Sequence, residues 1–274
     1  KTIEIPLPNY SGKTNFSDFI FGKEIDTEQI SITSYKRDRQ SITYVPYIGN
    51  GLSGEAVKID LSTWTKHNIK TQDIEKDFIY TKTYLLGTDS YGRDFYSRLI
   101  IGTRISFLIG FIAVFISLVV GISLGALAGY YKGRTDNIIM WLINVVWSIP
   151  TLLLVIAITL AIGKGFWQIF IAVGLTMWVE VARVVRGQFL SYREKEFVEA
   201  AKALGFSDTR IIFNQILPNV IAPIIVISAA NFASAILVES GLSFLGIGAQ
   251  PPTPSWGNII KEHYNHIILG KQHL

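Results

Sequence analysis

From Ile105 to Tyr130 the chain runs without a single charged side chain. At ~1.5 Å of rise per residue, such a run is longer than the ~30 Å hydrocarbon core of a bilayer requires. A helix apolar on every face has to be solvated by lipid or buried by neighbours, so this stretch points to a membrane protein. Composition agrees: 49% of the 274 residues are hydrophobic and only 17% are charged, with a mean hydropathy of +0.35. Those values are too apolar for an ordinary soluble chain of this length. The formal net charge of +4 is mild, and the basic residues sit beside apolar runs. Membrane topology therefore accounts for them better than nucleic-acid binding. Cysteine is absent, which removes disulfides and Cys-based metal sites.

Three further apolar stretches follow. One covers about 138–162 and contains Pro150, which predicts a kink. A weaker one covers about 166–181, and a fourth about 220–238, entered through Pro218 with Pro223 in its early turns. Residues 85–274 are thus expected to form an all-α membrane bundle with spans near 105–130, 138–162, 166–181 and 220–238. Residues 1–84 differ in kind. They are polar and mixed in charge, with alternating stretches at Ile30–Thr33 and Ile42–Val45 and a turn signal at Asn50-Gly51, which predict a separate β-rich or α+β extramembrane domain.

Charge sets the orientation. Lys132 and Arg134 lie in one connection, and Arg183, Arg186, Arg193, Lys195, Lys202 and Arg210 in the long connection 182–217. The positive-inside rule places both in the cytoplasm, with Lys164 and residues 1–84 on the opposite, extracytoplasmic side. Nothing at Lys1 resembles a signal peptide or an initiating methionine. An upstream span is therefore expected to be missing, and another after Leu274 if the full protein ends in the cytoplasm.

The long connection carries the most information. In Glu196–Gly205, Phe197, Ala200, Ala201 and Leu204 are read as one helical face, and Gly205 as the left-handed residue that ends the helix. Ser207 is placed to cap a second short helix with Asp208 in its first turn. Ile211, Ile212 and Ile216 extend its apolar face to Leu217-Pro218. A short amphipathic element with small alanines suits a groove on a partner; its basic residues would equally suit a hairpin lying on lipid.

Glu199-Ala200-Ala201, Gly205 and Leu217-Pro218 at this spacing resemble the EAA motif of ABC-importer permeases. The resemblance implies the type I permease fold. It also implies that Phe197, Glu199, Ala200, Ala201, Leu204, Gly205, Leu217 and Pro218 couple to an ATP-binding subunit. Gln215 departs from the pattern, standing where an apolar residue is common. Gly87-Thr88-Asp89-Ser90-Tyr91-Gly92-Arg93-Asp94 with Gly102–Ser106, and Ser243-Phe244-Leu245-Gly246 with Gln250-Pro251-Pro252-Thr253-Pro254-Ser255-Trp256-Gly257, are similar to the dipeptide, oligopeptide and nickel branch of that family. The likeness runs from about Leu86 to Asn258 and leaves residues 1–84 unmatched. It implies a multi-pass subunit of the bacterial cytoplasmic (inner) membrane whose first and last spans are missing from this chain. The implied partners are a second homologous permease, an extracytoplasmic substrate-binding protein, membrane lipid, and two ATP-binding subunits holding ATP and Mg. This chain itself would carry no cofactor or metal. The implied cargo is di- or oligopeptides, with nickel or another small solute as the alternative.

Other residues remain open between roles. Asp89, Arg93 and Asp94 could face a binding protein or gate, or pair locally with one another and Arg98. Trp256 could join them or act as an interfacial anchor. Asn144, Asn231 and Glu239 are candidates for the substrate pathway, although the two asparagines suit interhelical hydrogen bonds better. Glu180 and Arg183 are spaced for a local ion pair. His67, His263, His266 and His273 all fall outside the spans, so no intramembrane His-based centre can be assembled. No phosphate-binding loop occurs either, so ATP hydrolysis belongs to other chains. An ATP-independent channel or secondary carrier and a purely structural membrane anchor are the rival readings.

Overall fold

A computed structural model describes residues 1–6, 27–49, 51–66, 69–163, 166–249 and 253–268. Asn50, His67, Lys164, Gln250, Pro251, Pro252 and His273 lie outside the described residues. The chain divides into two compact units, Lys1–Arg104 with Ile259–Leu274, and Ile105–Asn258.

The first unit is built on an antiparallel sheet of β1 (Thr2–Pro6), β2 (Thr27–Arg37), β3 (Ser41–Gly49), β4 (Leu52–Ser53), β5 (Val57–Asp60) and β6 (Ile79–Tyr80). The order is β4-β3-β2-β1-β6, with β5 also pairing β3. The β2–β3 hairpin turns where Asp38 N–H donates to Ser41 O at 2.8 Å. Ile3, Ile32, Ile42 and Tyr44 on the sheet pack against Leu61, Trp64, Ile74 and Ile79. Trp64, in the one-turn helix α1 (Ser62–Thr65), is wholly buried. Its indole N–H donates to Glu4 O at 3.1 Å, so the polar edge of the ring is satisfied inside the core. A second one-turn helix, α2 (Ile74–Asp77), leads into β6.

The helices that follow are α3 (Phe95–Tyr131), α4 (Gly133–Trp147), α5 (Thr151–Ile162), α6 (Phe166–Tyr192), α7 (Glu196–Ala203), α8 (Asp208–Arg210), a π-helical segment (Ile211–Ile216), α9 (Leu217–Phe244) and α10 (Trp256–Ile268). Among the described residues three helical stretches are long and apolar enough to cross a membrane, Phe95–Tyr131, Trp167–Tyr192 and Asp208–Phe244. A fourth is added if α4 and α5 count as one span, although they meet at 92°. The kink expected at Pro150 is thus a full break: α4 ends at Trp147 and α5 starts at Thr151, with Pro150 as its N-cap, where a missing N–H leaves no helical bond unmade.

Two expectations need correction. The third helix does not stop near residue 181 but runs on to Tyr192. Arg183 and Arg186 interrupt the apolar composition there, yet Val181, Ala182, Val185 and Phe189 continue one buried stripe. The second helix of the 196–217 hairpin is only three α-helical residues followed by the π segment.

The second unit owes its close packing to glycine. A Cβ on Gly121 would lie 2.6 Å from Val181 Cβ, one on Gly125 2.6 Å from Ala182 O, and one on Gly129 2.5 Å from Phe189 Cβ. Gly174 is the counterpart on α6, with Ile116 Cβ 2.7 Å from where its own Cβ would stand. Small residues every fourth position let α3 and α6 approach backbone to backbone, as in lipid-embedded helix pairs.

Candidate functional site

Gly205 has φ +77° and closes α7 with two hydrogen bonds, Gly205 N–H to Lys202 O at 2.9 Å and Phe206 N–H to Ala201 O at 3.1 Å. This paired pattern is the Schellman motif, which needs a left-handed residue at the first position past the helix. Phe206 packs into the same apolar cluster as Ala201, completing the motif's usual hydrophobic contact. Ser207 takes the extended backbone of an N-cap but makes no side-chain capping bond, so the expected cap is absent. Asp208 instead serves a partner on α3.

The apolar face assigned to α7 is divided. Val198 (0% exposed) and Ala201 (4%) turn inward, whereas Phe197 (39%) and Leu204 (74%) are exposed with Ala200 between them. At ~100° per residue Ala201 lies on the border between the two stripes, and its own chain claims it. Val198 and Ala201 join Ile211, Ile212 and Ile216 in one core with Ala126 and Tyr130 of α3, Val181, Val185 and Phe189 of α6, and Val220 and Ile224 of α9. The inner side of the hairpin is therefore continuous with all three of these long helices. Its outer side offers Phe197, Ala200 and Leu204 amid Glu196, Glu199 and Lys202, all exposed.

Polar contacts fasten the same element. The Tyr130 hydroxyl donates to Asp208 Oδ1 at 2.7 Å, the Tyr130 carbonyl accepts from Arg193 Nη1, and Lys202 Nζ lies 5.6 Å from the centre of the Tyr130 ring. Beside it, Lys132 Nζ donates to Glu194 Oε1 at 2.6 Å. That hydrogen bond from Lys132, with the attraction of its charge, holds the exposed Glu194 carboxyl below its ordinary range. The end of α3 thus grips both limbs of the hairpin. Arg186 on α6 makes a two-pronged pair with Asp136 on α4, Nη2 to Oδ2 at 2.7 Å and Nε to Oδ1 at 2.5 Å, the fork geometry that gives arginine–carboxylate pairs their directionality.

In the π segment, Leu217 N–H reaches back five residues to Ile212 O. Pro218, at the second position of α9, has no N–H to continue the ladder. Asn219 Nδ2 donates to Gln215 O at 2.6 Å, one turn back in the same stretch. Wide turns of this kind recur at functional sites.

The remaining candidates sit as follows. Asp89 is buried, accepting from Tyr91 N–H and Arg93 N–H, each at 2.9 Å, and from Arg93 Nε at 2.6 Å. Arg98 lies 3.3 Å from the same carboxylate, and both arginines reach Glu262, at 2.8 and 2.9 Å. Asp94 caps α3, accepting from Tyr96 N–H at 3.1 Å and the Ser97 hydroxyl at 2.5 Å. Asp89, Arg93 and Arg98 pair with one another, with Glu262 as a member that sequence spacing did not reveal, while Asp94 serves the start of α3 instead. Trp256 opens α10, its N–H donating to Ser106 Oγ at 3.3 Å and its ring edge-on to Phe107 at 5.9 Å. Arg183 does not pair with Glu180. It donates to Asn144 Oδ1 at 2.9 Å and stacks on the Trp147 ring, tying α6 to the break after α4. Asn231 is buried, its Nδ2 3.5 Å from Met177 O. Glu239 is buried and accepts from Ser243 Oγ at 2.6 Å. Tyr130 and Asp136 carry no signal in the sequence: an aromatic and an acid at helix ends look like interfacial anchors, and only the fold brings Asp208, Arg193 and Arg186 to them.

Residues 121–270 match the family of binding-protein-dependent transport system inner membrane components. Across 218 residues, 77% of this chain, the sequence is 35% identical to the glutathione transport system permease protein GsiD of Pectobacterium atrosepticum, 72% of which is covered. The chain belongs to this permease family. It is also 38% identical over 182 residues to the oligopeptide permease OppC of Bacillus subtilis and 42% identical over 176 residues to the dipeptide permease DppC of Alkalihalophilus pseudofirmus. It spans about three fifths of the length of those two, 60% and 58%. Among solved structures, a chain of the MetNI methionine ABC transporter in an inward-facing conformation superposes with a TM-score of 0.54 at 18% identity, covering 65% of this chain and 83% of that one. That likeness shows the fold of this inner membrane component, a type I ABC-importer permease fold, to which the N-terminal sheet is added. The permease matches lie with transport subunits, and the hairpin of residues 196–217 falls inside the family match.

Proposed function

We propose that this permease forms half of the membrane pathway of an ATP-driven importer of di- and oligopeptides. It would pair with a second homologous permease and with two ATP-binding subunits that hold ATP and Mg. An extracytoplasmic binding protein would deliver the cargo. Residues 1–84 then lie outside the bacterial cytoplasmic membrane, residues 85–274 form the transmembrane domain, and the 196–217 hairpin faces the cytoplasm.

One observation carries this reading: the hairpin has an exposed apolar stripe, Phe197, Ala200 and Leu204, backed by a core shared with α3, α6 and α9. The stripe suits a groove on a partner. The shared core makes the hairpin a rigid handle, because packed interiors transmit displacement rather than absorb it. When the two ATP-binding subunits close, each pushes its handle, and the helices rock between inward and outward openings. ATP chemistry stays on the partner chains. The names of the relatives, which carry glutathione, oligopeptides and dipeptides, favour peptides over nickel.

The test is co-expression with the second permease, the ATP-binding subunits and the binding protein, followed by reconstitution. ATP-dependent uptake of labelled di- and oligopeptides, competed by unlabelled peptide and not by nickel, is expected. Uptake that ignores ATP would overturn the importer reading, and nickel uptake alone would overturn the cargo.

A further inference from the structure

We propose that Glu239 is the positioning residue that latches Ala249, Ser255 and the first turn of α10 onto the end of α9, so that these residues and the helix end move as one piece. The transport consequence rests on the importer reading above; the latch rests on geometry alone.

Glu239 is fully buried, and among the described residues its Oε2 has no hydrogen-bond partner. Its Oε1 accepts the Ser243 hydroxyl at 2.6 Å, one helical turn on. With that hydrogen committed, Ser243 Oγ turns its lone pairs to the loop. It accepts Ala249 N–H at 3.1 Å and lies 3.3 Å from Ser255 Oγ. Ser255 Oγ accepts Asn258 N–H at 3.3 Å, and the Asn258 amide donates back to Ala249 O at 2.6 Å and Thr253 O at 3.2 Å. The ring of bonds is closed and buried. The backbone is built to fit it, since a Cβ on Gly248 would lie 2.2 Å from Ser243 Oγ and one on Gly257 2.6 Å from Ser240 O.

A hydroxyl rotates freely, so Ser243 alone would not choose between accepting from the loop and donating to it. The Glu239 carboxyl makes that choice. Without it the Ser243 hydrogen is free to turn toward its own helix, a common bond for serine in helices, and Ala249 loses a correctly aimed acceptor. Because α9 begins at the 196–217 hairpin, residues latched to its far end join events at one end of the helix to those at the other, ~42 Å apart for its 28 residues.

The chain has no native cysteine, so a single Ala249→Cys, read on this subunit's own gel band, reports labelling in the assembled complex. Ala249 is 3% exposed. Maleimide labelling is expected to be slow in the wild-type background and in Glu239→Gln, whose amide oxygen still accepts from Ser243, and roughly tenfold faster in Glu239→Ala, where the loop opens locally. Ser243→Ala should label like Glu239→Ala and supplies the contrast if the latter fails to assemble. In uptake assays Glu239→Ala should raise the binding-protein concentration for half-maximal transport severalfold, with rescue by Glu239→Gln. Equal labelling of wild type and Glu239→Ala, or Glu239→Gln labelling as fast as Glu239→Ala, overturns the latch. A wild-type complex that performs no ATP-driven uptake overturns the importer reading instead, and the labelling contrast still decides the latch.

Discussion

The hydroxyl of Tyr130, in the last turn of α3, donates to Asp208 Oδ1 at 2.7 Å across the base of the hairpin. The same residue's carbonyl accepts from Arg193, just past the end of α6, so one position on α3 holds both the approach to the hairpin and its second limb. Tyr130→Phe removes only the first bond, keeping ring and carbonyl. It should cost about 1 kcal/mol and lower ATP-driven uptake more than the ATPase rate, since the handle loosens while the ATP-binding subunits are untouched. Parallel uptake and phosphate-release assays on the reconstituted complex measure this; an unchanged ratio of the two contradicts it.

Among the described residues no atom comes within 4 Å of where a Cβ on Gly205 would stand, so within this chain its φ of +77° is the constraint. Gly205→Ala should destabilise the turn by about 1 kcal/mol and Gly205→Val by more, with Gly205→Asn between glycine and alanine. The series should order the ratio of uptake to ATP hydrolysis in the same way. An order that follows side-chain volume instead would locate the constraint in the partner's groove.

At Gly125 the opposite holds, because space rather than backbone decides. A methyl group there would meet Ala182 O at 2.6 Å and Val185 Cβ at 2.8 Å. Gly125→Ala should cost about 1–3 kcal/mol through forced separation of α3 and α6, read as a lower midpoint in thermal unfolding of the detergent-solubilised subunit. Gly133→Ala meets no atoms among the described residues and tests a positive φ without crowding.

Outside the membrane helices, Glu75 is held below its ordinary range, first by the Tyr35 hydroxyl at 2.8 Å and then by Arg37 at 3.2 Å. A depressed carboxylate contributes stability above its unfolded value and loses it as pH falls through the folded one. Both Glu75 and Arg37 are partly exposed, with side chains 42% and 31% accessible, so Glu75→Gln should cost under ~1 kcal/mol at neutral pH. Wild type should resist proteolysis of the β2–β3 region better than Glu75→Gln at pH 7, with the difference narrowing as pH falls below the ordinary glutamate range. A difference that persists in acid would argue against the ionised pair.

The long apolar helix α3 was legible because nothing charged interrupts it, and the left-handed Gly205 because a small apolar helix stops there. The inner half of α6 was not, since Arg183 and Arg186 break the composition although the buried positions keep their spacing. Residue pattern could not separate the π segment from an α-helix: Ile211, Ile212 and Ile216 fit either. The Gly121, Gly125 and Gly129 repeat, small residues at fourfold spacing, went unread, and only the fold shows it as a packing seam. The pairing of Asp89 with Arg93 and Arg98 was one of its open alternatives, but Glu262, which shares both arginines, is too distant in sequence to be foreseen. Local chemistry predicts local structure, and contacts between remote segments require the fold.

The π segment sets the angular phase of everything beyond it. Ile212, Ile216, Val220 and Ile224 recur every fourth residue and all enter the hairpin core, which a strict α-helix would carry slowly around its axis. The wide turn offsets that drift. Rewinding that segment as α-helix at unchanged length would turn α9 by about 100°, swinging Asn231, Glu239 and Ser243 away from the interior. The pitch of that segment is thus a gear setting for a helix whose buried polar groups lie many turns away.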